Sequence, residues 1–398
     1  MPESAAPEIG EADVVVGLVP PPRDGDALES AIARIVSVSL PMRAVLVHPP
    51  YAATASAPPA NTEWQIVTSQ QVGQNPANTV QTLEDSFRAI ADMARKAGAR
   101  ACGLIASDLS VVTPRWIHLL IEPALSQSFD LIAPCYARHP FEGMINRAIV
   151  YPLFRALYGK QVRNPMGPDF GISAKLLERA TGGSRPRAHP LLSLATEAAT
   201  SGMKICQSHL GPRAYSPPDW TALSSLLALV LGPLFTDVER YASNWQRARG
   251  SQPIPEFGDP LFVSGPETPI DVTRLIDSFR LGARNLREVW GMILPPSTLV
   301  ELLGLSRRDG GGFSMPDETW ARIVYDFALA YRVRTISREQ ILRSITPIYL
   351  GWLASYANGL GSLDSEAVEG RLEKLCLAYE DTKPYFVARW RWPDRFNP

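Results

Sequence analysis

The sequence predicts an α/β protein: a mainly parallel sheet in the first half, then an all-helical second half. Three observations predict this. Short apolar runs at Val14 to Val19, Ala44 to Val47, Gln65 to Val67, Ala101 to Ala106 and Asp130 to Pro134 alternate with helical stretches, which is the pattern of βαβ units. From Pro217 onward the strand pattern stops and only helical stretches follow. At 398 residues the chain is too long for one average domain. It divides into a disordered tail over residues 1–12, an α/β part over 13–216 and a helical part over 217–398.

Val14 to Val19 is uninterrupted in its apolar character, as a strand buried on both faces must be. The turn Pro20 to Gly25 leads to a helix from Asp26 to about Ser39, with Asp26 as its N-cap. Tyr51 to Asn61 is an Ala/Pro/Ser loop. Thr79 to Ala97 is a helix with Leu83, Phe87, Ile90 and Met93 on one face. Pro114 to Leu125 is another, with Pro in its first turn. Lys175 to Thr181 and Leu191 to Ser201 are helices, and Lys204 to His209 is a further strand. Beyond Pro217 the spacing predicts a long helix over Trp220 to Arg249, broken or kinked near Gly232-Pro233, and a Pro/Gly-rich connector over Ser251 to Pro269. Helices follow at Ile270 to Trp290, Ser297 to Leu305, Asp317 to Val333, Ser337 to Tyr356 and Ser365 to Tyr379. Ser297 and Ser337 are N-cap candidates, the latter with Gln340 in a capping-box pattern.

A net charge of −1 points away from a nucleic-acid partner. Cys102, Cys135, Cys206 and Cys376 are far apart in apolar contexts, the pattern of buried free thiols in a reducing compartment. The first residues, MPESAAPEIGEAD, lack the apolar core of a signal peptide. The longest apolar run, Leu223 to Phe235, is too short to span a bilayer. The expected location is the cytoplasm.

Tyr136 to Ser173 carries the densest signal. Arg138, His139, Arg147, Arg155, Lys160 and Arg163 lie among apolar positions, a concentration of positive charge suited to an anionic ligand or, equally, to a solvated surface helix. Ile145, Ile149, Leu153 and Leu157 recur every four residues, so Met144 to Tyr158 reads as a helix, kinked or broken at Pro152 and capped by Gly159. The stretch ends in a turn, Gly167 to Gly171, of the form Gly-x-Asp-Phe-Gly. Protein kinases share the Asp-Phe-Gly triplet, but their Gly-rich loop, Lys strand and His-Arg-Asp loop are missing.

Tyr136, Arg138, His139, Gly143, Ile149 to Leu153, Arg155 to Gly159 and Gly167 to Gly171 together resemble a segment of GT-A glycosyltransferases related to family 2. The resemblance is strongest to bacterial retaining enzymes of the mannosylglycerate synthase and glucosyl-3-phosphoglycerate synthase kind. It implies a GT-A domain with a helical C-terminal region. It also implies transfer of a sugar, with retained configuration, from a nucleotide-sugar donor to a small anionic acceptor such as glycerate or phosphoglycerate. A divalent cation, Mg or Mn, is expected for the family. The implied catalytic residues are Asp169 and Asp108. Asp108, Ser107, Ser110 and Gly167 fall on the donor side, and Arg138, His139 and Arg163 on the acceptor's anion.

Several positions depart from the family pattern. Its Asp-x-Asp is Ala106-Ser107-Asp108, so Asp108 reads either as a cation ligand or as a cap. Tyr215 stands for the later metal-binding His, His48-Pro49-Pro50 replaces the base-binding acid, and Ala188-His189-Pro190 replaces an acceptor-site Asp-x-Trp, with Glu197 as a stand-in. His209, inside a strand, reads as a core or edge residue. Arg213, Arg138, Arg163 and Lys160 are cations that could neutralise a diphosphate without metal. The alternative is a catalytically degenerate pseudoenzyme acting as a binding or scaffold subunit. A homo-oligomer or partner-protein contact would then use Leu223 to Phe235 and the aromatic end Tyr385 to Phe396, stretches that otherwise read as core.

Overall fold

A computed structural model describes residues 9–19, 25–40, 42–50, 64–73, 79–106, 108–182, 188–213, 221–261, 270–308, 312–360 and 364–393. Most of the expected tail, the Pro20 to Asp24 turn and the Tyr51 to Asn61 loop lie outside these residues. The strands are β1 (Val14–Leu18), β2 (Ala44–His48), β3 (Trp64–Thr68), β4 (Ala101–Ile105), β5 (Leu131–Ala137), β6 (Phe170–Ser173), β7 (Ile205–Pro212) and β8 (Glu256–Phe257). The helices of the first half are α1 (Gly25–Val36), α2 (Thr79–Lys96), α3 (Pro114–Ser126), α4 (Tyr151–Tyr158), α5 (Ala174–Thr181) and α6 (Leu194–Thr200). Those of the second half are α7 (Leu223–Arg240), α8 (Ala242–Trp245), α9 (Val272–Asn285), α10 (Arg287–Ile293), α11 (Pro296–Leu305), α12 (Asp317–Val333), α13 (Arg338–Ser344), α14 (Thr346–Gly359) and α15 (Ser365–Arg391). The expected α/β class with an all-helical C-terminal part is what the structure shows.

The chain forms two compact units that alternate along the sequence. One comprises Met1–Arg138, Val162–Tyr215 and Pro253–Val263; the other comprises His139–Gln161, Ser216–Gln252 and Ser264–Pro398.

In the first unit the described strands form one sheet in the order β3-β2-β1-β4-β6-β5-β7-β8. Every residue of β1, β2 and β4 is buried, as their unbroken apolar runs require. All neighbouring pairs are parallel except those made by β6, which runs antiparallel to β4 and β5. The sequence predicts a turn over Gly167 to Gly171, and the structure begins β6 within it, at Phe170. Gly171 explains why it packs there: a Cβ at this position would lie 1.7 Å from the carbonyl oxygen of Leu120, so only glycine lets β6 approach α3. Because β6 is reversed, its amino end shares an edge of the sheet with the carboxyl ends of β4, β5 and β7.

In the second unit, Pro152 shapes the run into α4. A regular helix would have residue 152 donate its N–H to the Ala148 carbonyl, but proline has none. The chain instead makes a π-helical turn over Asn146–Val150. The Ala148 oxygen accepts from the Trp320 indole N–H and the Tyr379 hydroxyl, each at 2.9 Å. Gly159, at φ 67°, caps α4 as expected. Lys383 donates to the last carbonyls of this helix, Ala156 at 2.8 Å and Leu157 at 3.4 Å.

Several boundaries differ from expectation; the Ile270 to Trp290 and Ser337 to Tyr356 stretches are each two helices, α9 with α10 and α13 with α14. α7 runs through Pro233, which is buried with Leu231, Leu234 and Phe235, and the break comes at Tyr241, where the Trp245 indole turns back to the Val238 carbonyl at 2.8 Å. α15 continues past Tyr379 to Arg391, because Phe386 stacks on Trp245 and Tyr325 at 4.7 and 4.5 Å and Trp390 is buried beside it. Phe386 and Trp390 of the aromatic end are therefore core in this unit, as are Leu223, Leu227, Leu231, Leu234 and Phe235 of the earlier apolar run, whereas Leu226 is exposed. Ser337 caps α13, accepting from the Gln340 amide at 3.2 Å, whereas α11 begins one residue before Ser297.

Candidate active site

Crevices beyond the carboxyl ends of parallel strands are where α/β sheets bind ligands. In the first unit, Ala106 follows β4, Arg138 follows β5, Arg213 follows β7 and Asp169 immediately precedes the reversed β6. Topology alone thus gathers these four residues at one edge. Asp169 is fully buried. One of its oxygens accepts the Ala106 amide at 2.7 Å and the other accepts the hydroxyl of Tyr136. The guanidinium of Arg138 lies 5.0 Å from the centre of the Tyr136 ring, and that of Arg213 lies 5.3 Å from it. Burial, then the Asp169 charge, push the Tyr136 hydroxyl well above the usual phenol range against the opposing pull of the two arginines. The hydroxyl therefore stays protonated and keeps donating to Asp169.

Asp108 caps a short 3₁₀ turn, Leu109–Val111, by accepting the Ser110 amide at 2.8 Å. Arg34 of α1 fixes the same turn from the other side, donating to the carbonyls of Leu109 at 2.8 Å and Ser110 at 3.1 Å. Of its two sequence readings, the cap is thus occupied. Gly167 sits where a Cβ would lie 2.6 Å from Pro134, so its glycine is required by packing. Ser107 and Tyr215 lie outside the described residues.

A hard divalent cation needs several oxygen ligands. Asp108 brings one carboxylate with an oxygen already engaged in the cap, and Asp169 has a donor on each oxygen. Ala106 offers no side-chain ligand, and no group of three His, Cys, Asp or Glu able to hold a metal occurs among the described residues. The described donor set does not fit a protein-held Mg or Mn ion.

The expected cations separate into different roles. Arg163 donates its amide to the Gln207 side chain at 3.0 Å; against burial, the hydrogen bonds of His209 and Gln207 lower the pKa of Glu256 on β8, with the charge of Arg163 adding last. His209 joins the same edge, 2.8 Å from Glu256. His139 belongs to the second unit, where its amide donates to Glu142 at 3.0 Å. Arg155, also there, is buried and ion-paired with Glu373 and Glu380 at 2.5 to 2.7 Å. Its charge is internal to the fold and does not add to an anion site.

Sequence reasoning missed Glu84. This carboxyl is completely buried on α2, which leads from the carboxyl end of β3 to the amino end of β4, so its first turns lie near the same sheet edge. It accepts the amides of Leu191 at 2.9 Å and Leu192 at 3.1 Å, and His189 Nδ1 is 3.9 Å away. Burial pushes Glu84 up to about 7 and holds His189 below the ordinary histidine value. An acid one residue after Leu83 and three before Phe87, on the apolar face of a helix, was the available signal. Glu197, the expected stand-in for the acceptor-site acid, is buried and paired with Arg179 and Ser201. His48 is buried and neutral, its Nδ1 donating to the Pro49 carbonyl at 2.8 Å.

No protein-family model matches the chain, and no curated protein sequence matches it. Among solved structures it is similar to glucosyl-3-phosphoglycerate synthase from Mycobacterium tuberculosis. The complex of that protein with Mn²⁺, UDP-glucose and phosphoglyceric acid is 17% identical over 58% of this chain and 80% of that one, with a TM-score of 0.42. Its complex with Mn²⁺, UDP-glucose and glycerol 3-phosphate gives 17%, 57%, 80% and 0.40. Its complex with Mg²⁺ and UDP gives 18%, 57%, 79% and 0.41. Among the described residues, no helix of this chain is long and apolar enough to cross a membrane.

Proposed function

We propose that the chain is a glycosyltransferase that moves a sugar from a nucleotide-diphosphate donor to a small anionic acceptor of the glycerate or phosphoglycerate kind. The observation that carries this reading is the meeting of Asp169, Tyr136, Arg138 and Arg213 at the carboxyl edge of the sheet. In such a transfer the bond from the sugar C1 to the β-phosphate oxygen breaks with its electron pair on that oxygen. The acceptor hydroxyl oxygen bonds to C1 and its proton passes to the departing diphosphate oxygen. Fixed cations at the edge stabilise the charge that develops on the departing diphosphate. Asp108, half-buried after β4, is the carboxylate this reading turns toward the donor sugar, with Ser110 and Gly167 on the donor side. Asp169 acts as a positioning residue through Tyr136 and the Ala106 amide. The reading of a non-catalytic subunit gains no observation of its own among the described residues.

The test is incubation of the full chain with UDP-glucose and 3-phosphoglycerate, then with GDP-mannose and glycerate. Nucleoside diphosphate release and product mass are followed. Release that depends on the acceptor, with a product of the acceptor's mass plus one glycosyl residue (the sugar less one water), supports the reading. If both of these donors, and ADP-glucose offered with the same two acceptors, remain intact, the reading fails.

A further inference from the structure

We propose that Glu84 and His189 form a proton-dependent latch: the protonated carboxyl of Glu84 donates to His189 Nδ1 and closes the turn before α6 onto α2, and loss of that proton releases the turn. The latch does not depend on the glycosyltransferase reading.

α2 holds the stretch from Ala188 to Leu192 at both ends. Arg88 donates to the Ala188 carbonyl at 2.6 Å. One helical turn earlier, Glu84 Oε2 accepts the Leu191 amide at 2.9 Å and Oε1 accepts the Leu192 amide at 3.1 Å. Each oxygen thus has an amide donor, so a proton added to the carboxyl needs an acceptor elsewhere. His189 Nδ1 supplies one. It is buried, has no hydrogen-bond partner among the described residues and lies 3.9 Å from Oε1. An approach of about 1 Å makes the bond. The ionised carboxyl has no proton to offer and places its charge where no water reaches it. Detaching the turn hydrates that charge, so ionisation favours the open form.

Burial is the largest influence on both groups, pushing Glu84 up to about 7 and His189 below its ordinary value. Around the pair, Arg88 favours the ionised carboxyl and the neutral imidazole, and Asp85 favours the protonated carboxyl. α2 also packs against β1, β4 and α5. β1 has no titratable side chain, and β4 has only the Cys102 thiol, which burial keeps protonated. α5 carries Lys175, Glu178 and Arg179; Glu178 meets α2 at Arg95, 4.0 Å away, and Arg179 pairs with Glu197 of α6. A closed turn is therefore favoured below the Glu84 value of about 7 and lost as pH rises through it. Stronger acid charges His189 and removes the acceptor.

The experiment is hydrogen exchange of the full chain at pH 6 and pH 8, corrected for intrinsic rates and read on peptides covering Leu191 and Leu192. Protection should fall about 10-fold from pH 6 to pH 8, the linkage expected of a group at about 7 when closed and 4.5 when open. Glu84→Gln carries a permanent N–H donor for Nδ1, so its protection should change less than about 2-fold over the same range. His189→Phe removes the acceptor and should lower protection at pH 6 about 5-fold. Equal pH responses in the wild type and the glutamine variant overturn the latch, as does protection that rises with pH or is unchanged in His189→Phe. Protection equal to that of β4 also overturns it, because the turn then opens only with the whole unit. If Glu84→Gln does not fold, the pH response of the unaltered chain, set against β4, decides alone.

Discussion

The hydroxyl of Tyr136 donates to a carboxylate oxygen of Asp169, which has no exposure to solvent. The bond joins the end of β5 to the start of β6 and fixes the ring on which Arg138 and Arg213 rest. Tyr136→Phe keeps the ring but leaves a buried carboxylate oxygen without this donor, which costs about 1–3 kcal/mol of stability. The expected outcome is a lower urea midpoint with the ring still beside the arginines, so diphosphate affinity falls less than in Tyr136→Ala. Equal affinity in Phe and Ala variants would show that the ring does not support them.

Glu84 makes stability depend on pH in an unusual direction. Its ordinary pKa of 4.5 applies to the unfolded chain, and the folded value is about 7, chiefly through burial. Between these values the unfolded chain has lost a proton that the folded chain keeps, so stability falls as pH rises, by about 3 kcal/mol in full above pH 7. The amides of Leu191 and Leu192 and the charge of Arg88 oppose the shift, and Asp85 adds to it. His189, lowered by burial, works the other way, losing stability as pH falls below 6.5. Glu84→Gln isolates the first effect, because His189 is common to both proteins. Urea unfolding at pH 5 and pH 8 should show the glutamine variant gaining on the wild type with rising pH. Parallel profiles would refute the assignment.

Arg155 is the charge that holds α4 to α15. Its side chain is 4% exposed, and its partners Glu373 and Glu380 are 51% and 18% exposed. Arg155→Met removes the cation and leaves the less exposed carboxylate, Glu380, without it, at a cost of about 3–5 kcal/mol. A drop of that size should appear in chemical unfolding, with nucleotide binding by the folded fraction unchanged. A drop under about 1 kcal/mol would mean the pair behaves as a surface ion pair.

Much of the fold was legible because burial writes itself into residue type. β1, β2 and β4 are continuous apolar runs, and each lies within a residue or so of its expected bounds. Gly159 was readable as a cap for the same local reason. β6 was not, since four residues gain their strand character only from two antiparallel neighbours and from the backbone approach at Gly171. β8 is two residues long, below any periodic signal. The last twelve residues of α15 were not legible, since the stacking of Phe386 on Trp245 that supports them comes from a residue far away in sequence. At the candidate site Asp169 and Arg138 stood out by motif. Arg155 stood out equally and is internal, because charge in a sequence does not say what faces it.

The pairing of Arg155 with Glu373 and Glu380 has a consequence for the order in which the protein is made. The partners lie 218 and 225 positions later in the chain. At a synthesis rate of about 5–20 residues per second, the arginine emerges about 10–45 s before the acids that neutralise it exist. During that interval the segment around Tyr151–Tyr158 cannot seal its charge, and Ala148 cannot receive Trp320 or Tyr379. The central stretch of the nascent chain can therefore complete these contacts only after α15 has been synthesised.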